Sequence, residues 1–517
     1  MKPRALTDTV LCGLVIAGAA GCAALAGIDE KRCVPGCVDE ITRLVCVDET
    51  TAVAEPCPTS EEVCAAPSCS AGVCGFRPAV GKSCGRGGRA HCNEGYACLG
   101  PDLKMFAIRQ HNCLVADDGK VWCWGRNETR QLGDGTVTDR GNPVLVENLP
   151  LPATDVTVGY GHSCAILADG QIYCWGDNTY GQGGGVDPGQ PLPDPTLVAI
   201  PGVKFIQAYA GARHTCALAE DRTVYCWGDT TGGQCGVDPA TSGVTRVGPT
   251  RVPHFDPSSD GERRYLDQVM DVDTVKAHTC ARRATAPTMV CWGSNTYFDR
   301  LVPSHALGPG ATGLPYSARP IPVELGADVI DVGLGFESTY AVTFDNRVLA
   351  WGWNERGQLG VESTESFVVE PSPVLMDIGL GPQPLTGATE VLRSDGSHQC
   401  ARTTGELVPG SSAPYGSPYL CWGANDWGEV GLGESALGHR IFQFATPART
   451  LPSSARWLAL GEDHACASVS SGGHTEIHCY GRGAQVGNGS TGFDAQAQWQ
   501  AKPIVWDPAN FTALTKQ

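Results

Sequence analysis

Basic charge is scarce in this 517-residue chain: 37 Lys and Arg stand against 55 Asp and Glu, a formal net charge of -18. Nucleic-acid binders carry basic stripes, and here the acidic residues are scattered instead, so nucleic acid is excluded as an expected partner. Long apolar runs are equally scarce. Beyond the first 27 residues no segment is apolar enough to span a bilayer, which leaves a lipid as the expected means of membrane attachment. No Ser/His/Asp set, carboxylate pair or phosphate loop stands apart from the repeated motifs described below. The chain is therefore not read as an enzyme, and no cofactor or metal is expected.

What is abundant is the vocabulary of turns and staples: 66 Gly, 36 Pro and 25 Cys. The opening, "MKPRALTDTVLCGLVIAGAAGCAALAG", sets Lys2 and Arg4 before an apolar stretch from Val10 to Ala20 and reads as an export signal over 1–21. "AAGC" resembles the bacterial lipobox, which would make Cys22 the lipidated N-terminus of an outer-membrane lipoprotein facing the periplasm or the cell surface. Soluble export, with cleavage after Ala19 or Ala26, is the alternative. Residues 22–32 read as a tether. Residues 33–102 hold ten cysteines, Cys33, Cys37, Cys46, Cys57, Cys64, Cys69, Cys74, Cys84, Cys92 and Cys98, and read as a small disulfide-stapled segment whose connectivity stays open.

From residue 103 onward one phrase recurs: "HNCLVADDGKVWCWGRNETRQLG" from His111, "HSCAILADGQIYCWGDNTYGQGG" from His162, "HTCALAEDRTVYCWGDTTGGQCG" from His214, and further copies from His278, Ser338, His398 and His464. An alternating apolar run precedes each copy, Asp-Gly or a relative sits mid-copy, and a P-x-x-V segment follows. That is four short strands per unit, repeated seven times: an all-β chain forming a seven-bladed propeller over 103–517. "GQGGG" at 181–185 is one copy of the recurring "GQLG", so its likeness to a nucleotide loop carries no weight. The fourth copy lacks "GQLG" and the seventh has Tyr480 where Trp is usual. The last P-x-x-V segment, "KPIVW" at 502–506, is expected to complete the first blade and so remove an exposed edge.

The pattern G-x-x-H-[ST]-C-A-L…W-G-x-N-x-x-G-Q-L-G resembles the regulator of chromosome condensation repeat family, including its bacterial members. The resemblance implies the propeller fold and says little of function. It also admits an inhibitor of an extracytoplasmic enzyme, since a secreted bacterial propeller of these repeats inhibits β-lactamases. The exchange activity of the eukaryotic member on a small GTPase is not carried over.

Cysteines flanking each hairpin stand opposite one another, which predicts Cys113–Cys123, Cys164–Cys174, Cys216–Cys226, Cys280–Cys291, Cys400–Cys421 and Cys466–Cys479. The fifth copy has lost both partners together, to Tyr340 and Ala350. Cys235 is left over and reads as a small buried apolar residue. The repeating His are read as turn-fixing rather than metal-ligating, and the repeating Trp as filling between blades. Most long insertions follow Trp-Gly and share one end of the propeller with the G-x-x-H turns. Tyr180, Tyr297, Phe298, Trp353 and Trp427 lie there as candidate anchors. The leading expectation is a monomeric cell-envelope scaffold that binds a protein or glycan through this face. An enzyme inhibitor, or a lyase or hydrolase working in the central channel, are the alternatives.

Overall fold

A computed structural model describes residues 104–503 apart from 109–110, 117, 185–188, 257–264, 297–301, 378–380, 404–417, 433–439, 452–453, 472–473 and 483–497, together with eight strands between 36 and 99. Cys22 and the tether lie outside the described residues, as do Tyr297 and Phe298. The chain divides into two compact units, 1–100 and 101–517. In the first, Gly36–Asp39, Thr42–Asp48 and Thr51–Pro56 form a three-stranded sheet, and Ala65–Ser70 pairs with Val73–Pro78. The backbone register sets Cys69 opposite Cys74 and, in a third small sheet, Cys92 opposite Cys98.

The second unit is a ring of seven antiparallel four-stranded sheets: blade one over 104–145, two over 153–197, three over 205–251, four over 269–322, five over 329–373, six over 388–447 and seven over 455–503. Blade two shows the logic. Its inner strand is Ala153–Val158; His162–Leu167 and Ile172–Gly176 follow as a hairpin, and Leu192–Leu197 is the outer strand. The two middle strands are buried almost throughout because another blade covers each face, hence their unbroken apolar spelling, "HSCAIL" and "IYCWG". Between them the chain must turn through a left-handed residue, supplied by Gly170 (φ 85°) in blade two and by Asn346 (59°) and Arg222 (67°) in blades five and three.

Outer strands are half-exposed, and in blade two Pro193 and Pro195 interrupt that strand, where a missing N–H spoils the edge as a template. Blade six is guarded differently. The linker from blade five folds into Leu375–Asp377, which pairs onto its outer strand through Met376 and Ala445, and Pro382–Pro384, which pairs onto Leu375–Asp377 in turn.

The core is seven separate apolar clusters, one at each seam between blades. The ring closes otherwise than its C-terminal segment suggested. Gln498–Pro503 pairs within blade seven, and blade one supplies its own inner strand from Lys104–Ile108, hydrogen-bonded to His111–Val115. Closure is by packing: Leu114, Trp122 and Trp124 of blade one meet Ala459, Cys466 and Ile477 of blade seven.

Candidate functional site

The loop after Trp-Gly is built by three recurring hydrogen bonds. An Asn side chain closes it: Asn127 Oδ1 accepts from Leu132 N (3.0 Å), Asn354 from Leu359 N (3.1 Å) and Asn425 from Val430 N (3.1 Å). The Gln of "GQLG" accepts from the amide two residues earlier, as Gln182 Oε1 does from Tyr180 N (2.8 Å). Its own carbonyl then accepts the indole N–H of the next blade, Trp175 on Gln131 at 2.9 Å, Trp227 on Gln182 at 2.9 Å and Trp422 on Gln358 at 2.6 Å. The glycine closing "GQLG" is left-handed at Gly133 (φ 65°), and a Cβ there would fall 2.9 Å from Trp175 Nε1.

Two departures resolve on this geometry. Blade four does have the element, displaced by an insertion: Asn295 Oδ1 accepts from Leu307 N at 3.1 Å, and Trp351 Nε1 donates to Ala306 O at 3.1 Å, so Ser304 to Gly308 stand in for "GQLG". Cys235 sits buried in the Leu position, its thiol donating to Asp229 O at 3.2 Å, and burial pushes its pKa well up.

The repeating histidines act between blades, which corrects their reading as turn-fixers. His111 Nε2 meets Ser163 Oγ (2.9 Å) and His162 meets Thr215 Oγ1 (2.9 Å). At the ring closure His464 meets Asn112 Oδ1 (2.8 Å). In blades one to four the residue after the His thus serves the His of the blade before it. Burial holds these imidazoles neutral, with pKa values near 3 for His111, His214 and His464 and near 4 for His162, His278 and His398.

All six hairpin cysteine pairs are disulfides, with Cα atoms 4.0–4.1 Å apart in directly opposed registers. In blade five Tyr340 stands opposite Ala350, large against small, and its hydroxyl donates to Gln358 O at 2.6 Å.

Of the candidate anchors, Tyr180 is half-buried, with the guanidinium of Arg213 4.4 Å from its ring centroid and that of exposed Arg246 5.5 Å away. Trp427 is likewise half-buried, and Arg482 of blade seven lies over it at 4.8 Å. Trp353 is corrected: it ends the third strand of blade five and is only 6% exposed, so it belongs to the framework. The structure does not bring these aromatics into one cluster; it leaves two Arg–aromatic pairs on the loop face, at the seams of blades two–three and six–seven. The arginines were missed in the sequence because their ring partners lie about a blade away. A cleft of about 580 Å3 opens beside the short helix Pro239–Ser242, lined by Asp238, Tyr316 and Arg319 among others, with Tyr316 donating to Asp238 Oδ1 at 2.9 Å.

The channel offers less. Arg393 of blade six reaches across it to Ala210 O of blade three and lies 3.8 Å from Asp273 of blade four, so its side chain obstructs the bore. Asp273 and Asp331 accept from Leu334 N (2.9 Å) and Val391 N (2.8 Å) of the next blade, which makes them struts. Among the described residues no three His, Cys, Asp or Glu converge as a metal site.

With this geometry in hand, comparisons with known proteins fall into place. The regulator of chromosome condensation (RCC1) repeat matches residues 118–166, 169–218 and 345–389. Mouse E3 ubiquitin-protein ligase HERC2 is 28% identical over 277 residues, covering 51% of this chain and 5% of that protein. The Arabidopsis thaliana ultraviolet-B receptor UVR8 is 27% identical over 253 residues, 48% and 53% of the two chains. This chain thus spans about half the length of UVR8 and a small fraction of HERC2. Among solved structures, Saccharomyces cerevisiae Prp20p aligns over 78% of this chain and 88% of its own, with a TM-score of 0.57 and 19% identity, and human WBSCR16 over 75% and 94%, with 0.56 and 17%. At such identities the likeness shows the fold. The chain is a seven-bladed β-propeller, and residues 118–218 and 345–389 within it match regulator of chromosome condensation repeats.

Proposed function

We propose that this propeller is an exported scaffold that binds a protein partner on its loop-bearing face, with Tyr180 and Trp427 as anchors. The carrying observation is the pair of Arg–aromatic stacks, Arg213 and Arg246 on Tyr180 and Arg482 on Trp427, set on loops whose backbones are pinned by buried Asn and Gln or Glu side chains. Tyr, Trp and Arg are the residues that dominate binding energies, and a prepaid loop conformation lowers the cost of association. The structurally similar Prp20p supports this reading, since its structure is described with its binding to Gsp1p and histones. Six disulfides support an oxidising compartment, and the lipobox-like "AAGC" supports an envelope address.

The test is capture of a partner from envelope extract, followed by Tyr180→Ala and Trp427→Ala. Each is expected to weaken binding by about 2 kcal/mol, roughly thirty-fold, with little change in the thermal midpoint. Full affinity in both variants overturns the assignment of the face. Recovery of the twelve paired propeller cysteines as thiols from native cells overturns export.

A further inference from the structure

Three features that recur around the ring fail together at one seam. Where Ser, Thr or Asn in blades one to five faces the His of the blade before, blade seven has Ala465. His398 of blade six, fully buried, accordingly has no hydrogen-bond partner on either ring nitrogen. Where blades two to six carry Trp with its N–H on the preceding blade's carbonyl, blade seven has Tyr480, whose buried hydroxyl finds no partner. Where the loops of blades one, two, three and five carry Gln131, Gln182, Gln234 and Gln358, blade six has Glu429, and it is 2% exposed. The inner strand of blade six is also short, Ala388–Val391, and stops before the seam residue Leu392. These two blades share an apolar cluster, including Val430, Leu432, Leu458 and Leu460, and the stacking of Arg482 on Trp427.

We infer that the ring opens at the seam between blades six and seven, with blade seven parting from blade six while staying docked on blade one. The opposite side of blade seven is fully bonded: His464 holds Asn112, and Trp124 is buried with Ile477. Disulfides Cys400–Cys421 and Cys466–Cys479 each lie inside one blade, so both blades keep their hairpins as the seam parts. Opening is the separation of two intact sheets, and it uncovers the apolar faces between them.

Hydrogen exchange on the full chain tests this. Amides of 419–432 and 455–469 are expected to exchange at least ten-fold faster than their counterparts at the blade two–three seam, 172–184 and 205–219. Ala465→Thr, which gives His398 an acceptor, is expected to slow the fast segments several-fold. Thr215→Ala, which takes the acceptor from His162, is expected to quicken exchange at the two–three seam. Equal exchange at both seams overturns the inference, and so does a fast seam that Ala465→Thr leaves unchanged. If Ala465→Thr fails to fold, Thr215→Ala decides: no acceleration there means the missing bond does not control opening.

Discussion

At the scale of single residues, Glu429 shows how one atom changes a repeat. Its Oε2 accepts from Trp427 N at 2.8 Å, as Gln358 Oε1 accepts from Arg356 N at 2.9 Å, so the acceptor role is kept. The charge is the difference. Burial, helped by the nearby carboxylates of Asp463 and Asp426, pushes its pKa up to about 8. An acid whose folded pKa lies above its unfolded value near 4.5 holds its proton longer in the folded state, so its contribution to stability falls as pH rises from there through about 8. Glu429→Gln is expected to leave stability almost unchanged at pH 5 and to raise it by roughly 1–2 kcal/mol at pH 8, read from thermal midpoints. An equal gain at both values would show that ionisation is not the cost. Cys235 belongs at this scale too: buried and with its thiol pKa pushed up, it is expected to resist alkylation until the protein is denatured.

At the scale of elements, the hairpin is the unit that the staple and the turn both act on. Cys400–Cys421 closes a separation of 21 residues where Cys113–Cys123 closes 10. In the chain-entropy account, replacing the longer pair by serines should cost about 0.6 kcal/mol more than replacing the shorter, on a base of roughly 2–3 kcal/mol. Arg222, left-handed at φ 67°, occupies a place that glycine fills in blade two. Arg222→Gly is expected to stabilise by about 0.5 kcal/mol in denaturant titration, and a loss of stability would mean that the arginine side chain outweighs the strain. Hairpins were the legible part of this sequence, because cysteine spacing and Asp-Gly turns are local signals. The partner of His162 was harder, since Thr215 lies 53 residues away. Its trace was present nonetheless in the Ser or Thr after three of the six histidines. Blade four's Ser304 to Gly308 escaped notice because an insertion moved them. Trp353 was misplaced because the sequence marks where a strand ends only to within a residue or two, and its burial hangs on that margin.

At the scale of the whole molecule, the buried titrating groups pull stability in opposite directions with pH. Six histidines with folded pKa values near 3 or 4 must take up protons on unfolding below about 6.5, so stability falls as pH drops through that window. Asp273 and Glu337, held near 7 by burial, Glu429 near 8, and Asp331, pushed well up by burial, retain protons that the unfolded chain releases, so stability falls as pH rises through 4.5 to 8. Between 4.5 and 6.5 the six outnumber the four. Calorimetry across pH 4–9 is therefore expected to find a maximum near 6.5, with the steeper fall on the acid side. A midpoint still rising at pH 8 contradicts this balance.

The way the ring closes also bears on its connectivity. Because each blade is drawn from consecutive chain and no sheet borrows a strand from the far end, the seven units have no obligatory first member. Every link from an outer strand to the next inner strand solves the same geometric problem, and residues 146–152 do so with seven residues. A linker of that length joining 503 to 104, with new ends cut between 198 and 204, would give a circular permutant with every sheet intact. Order along the chain and order around the ring are separable here.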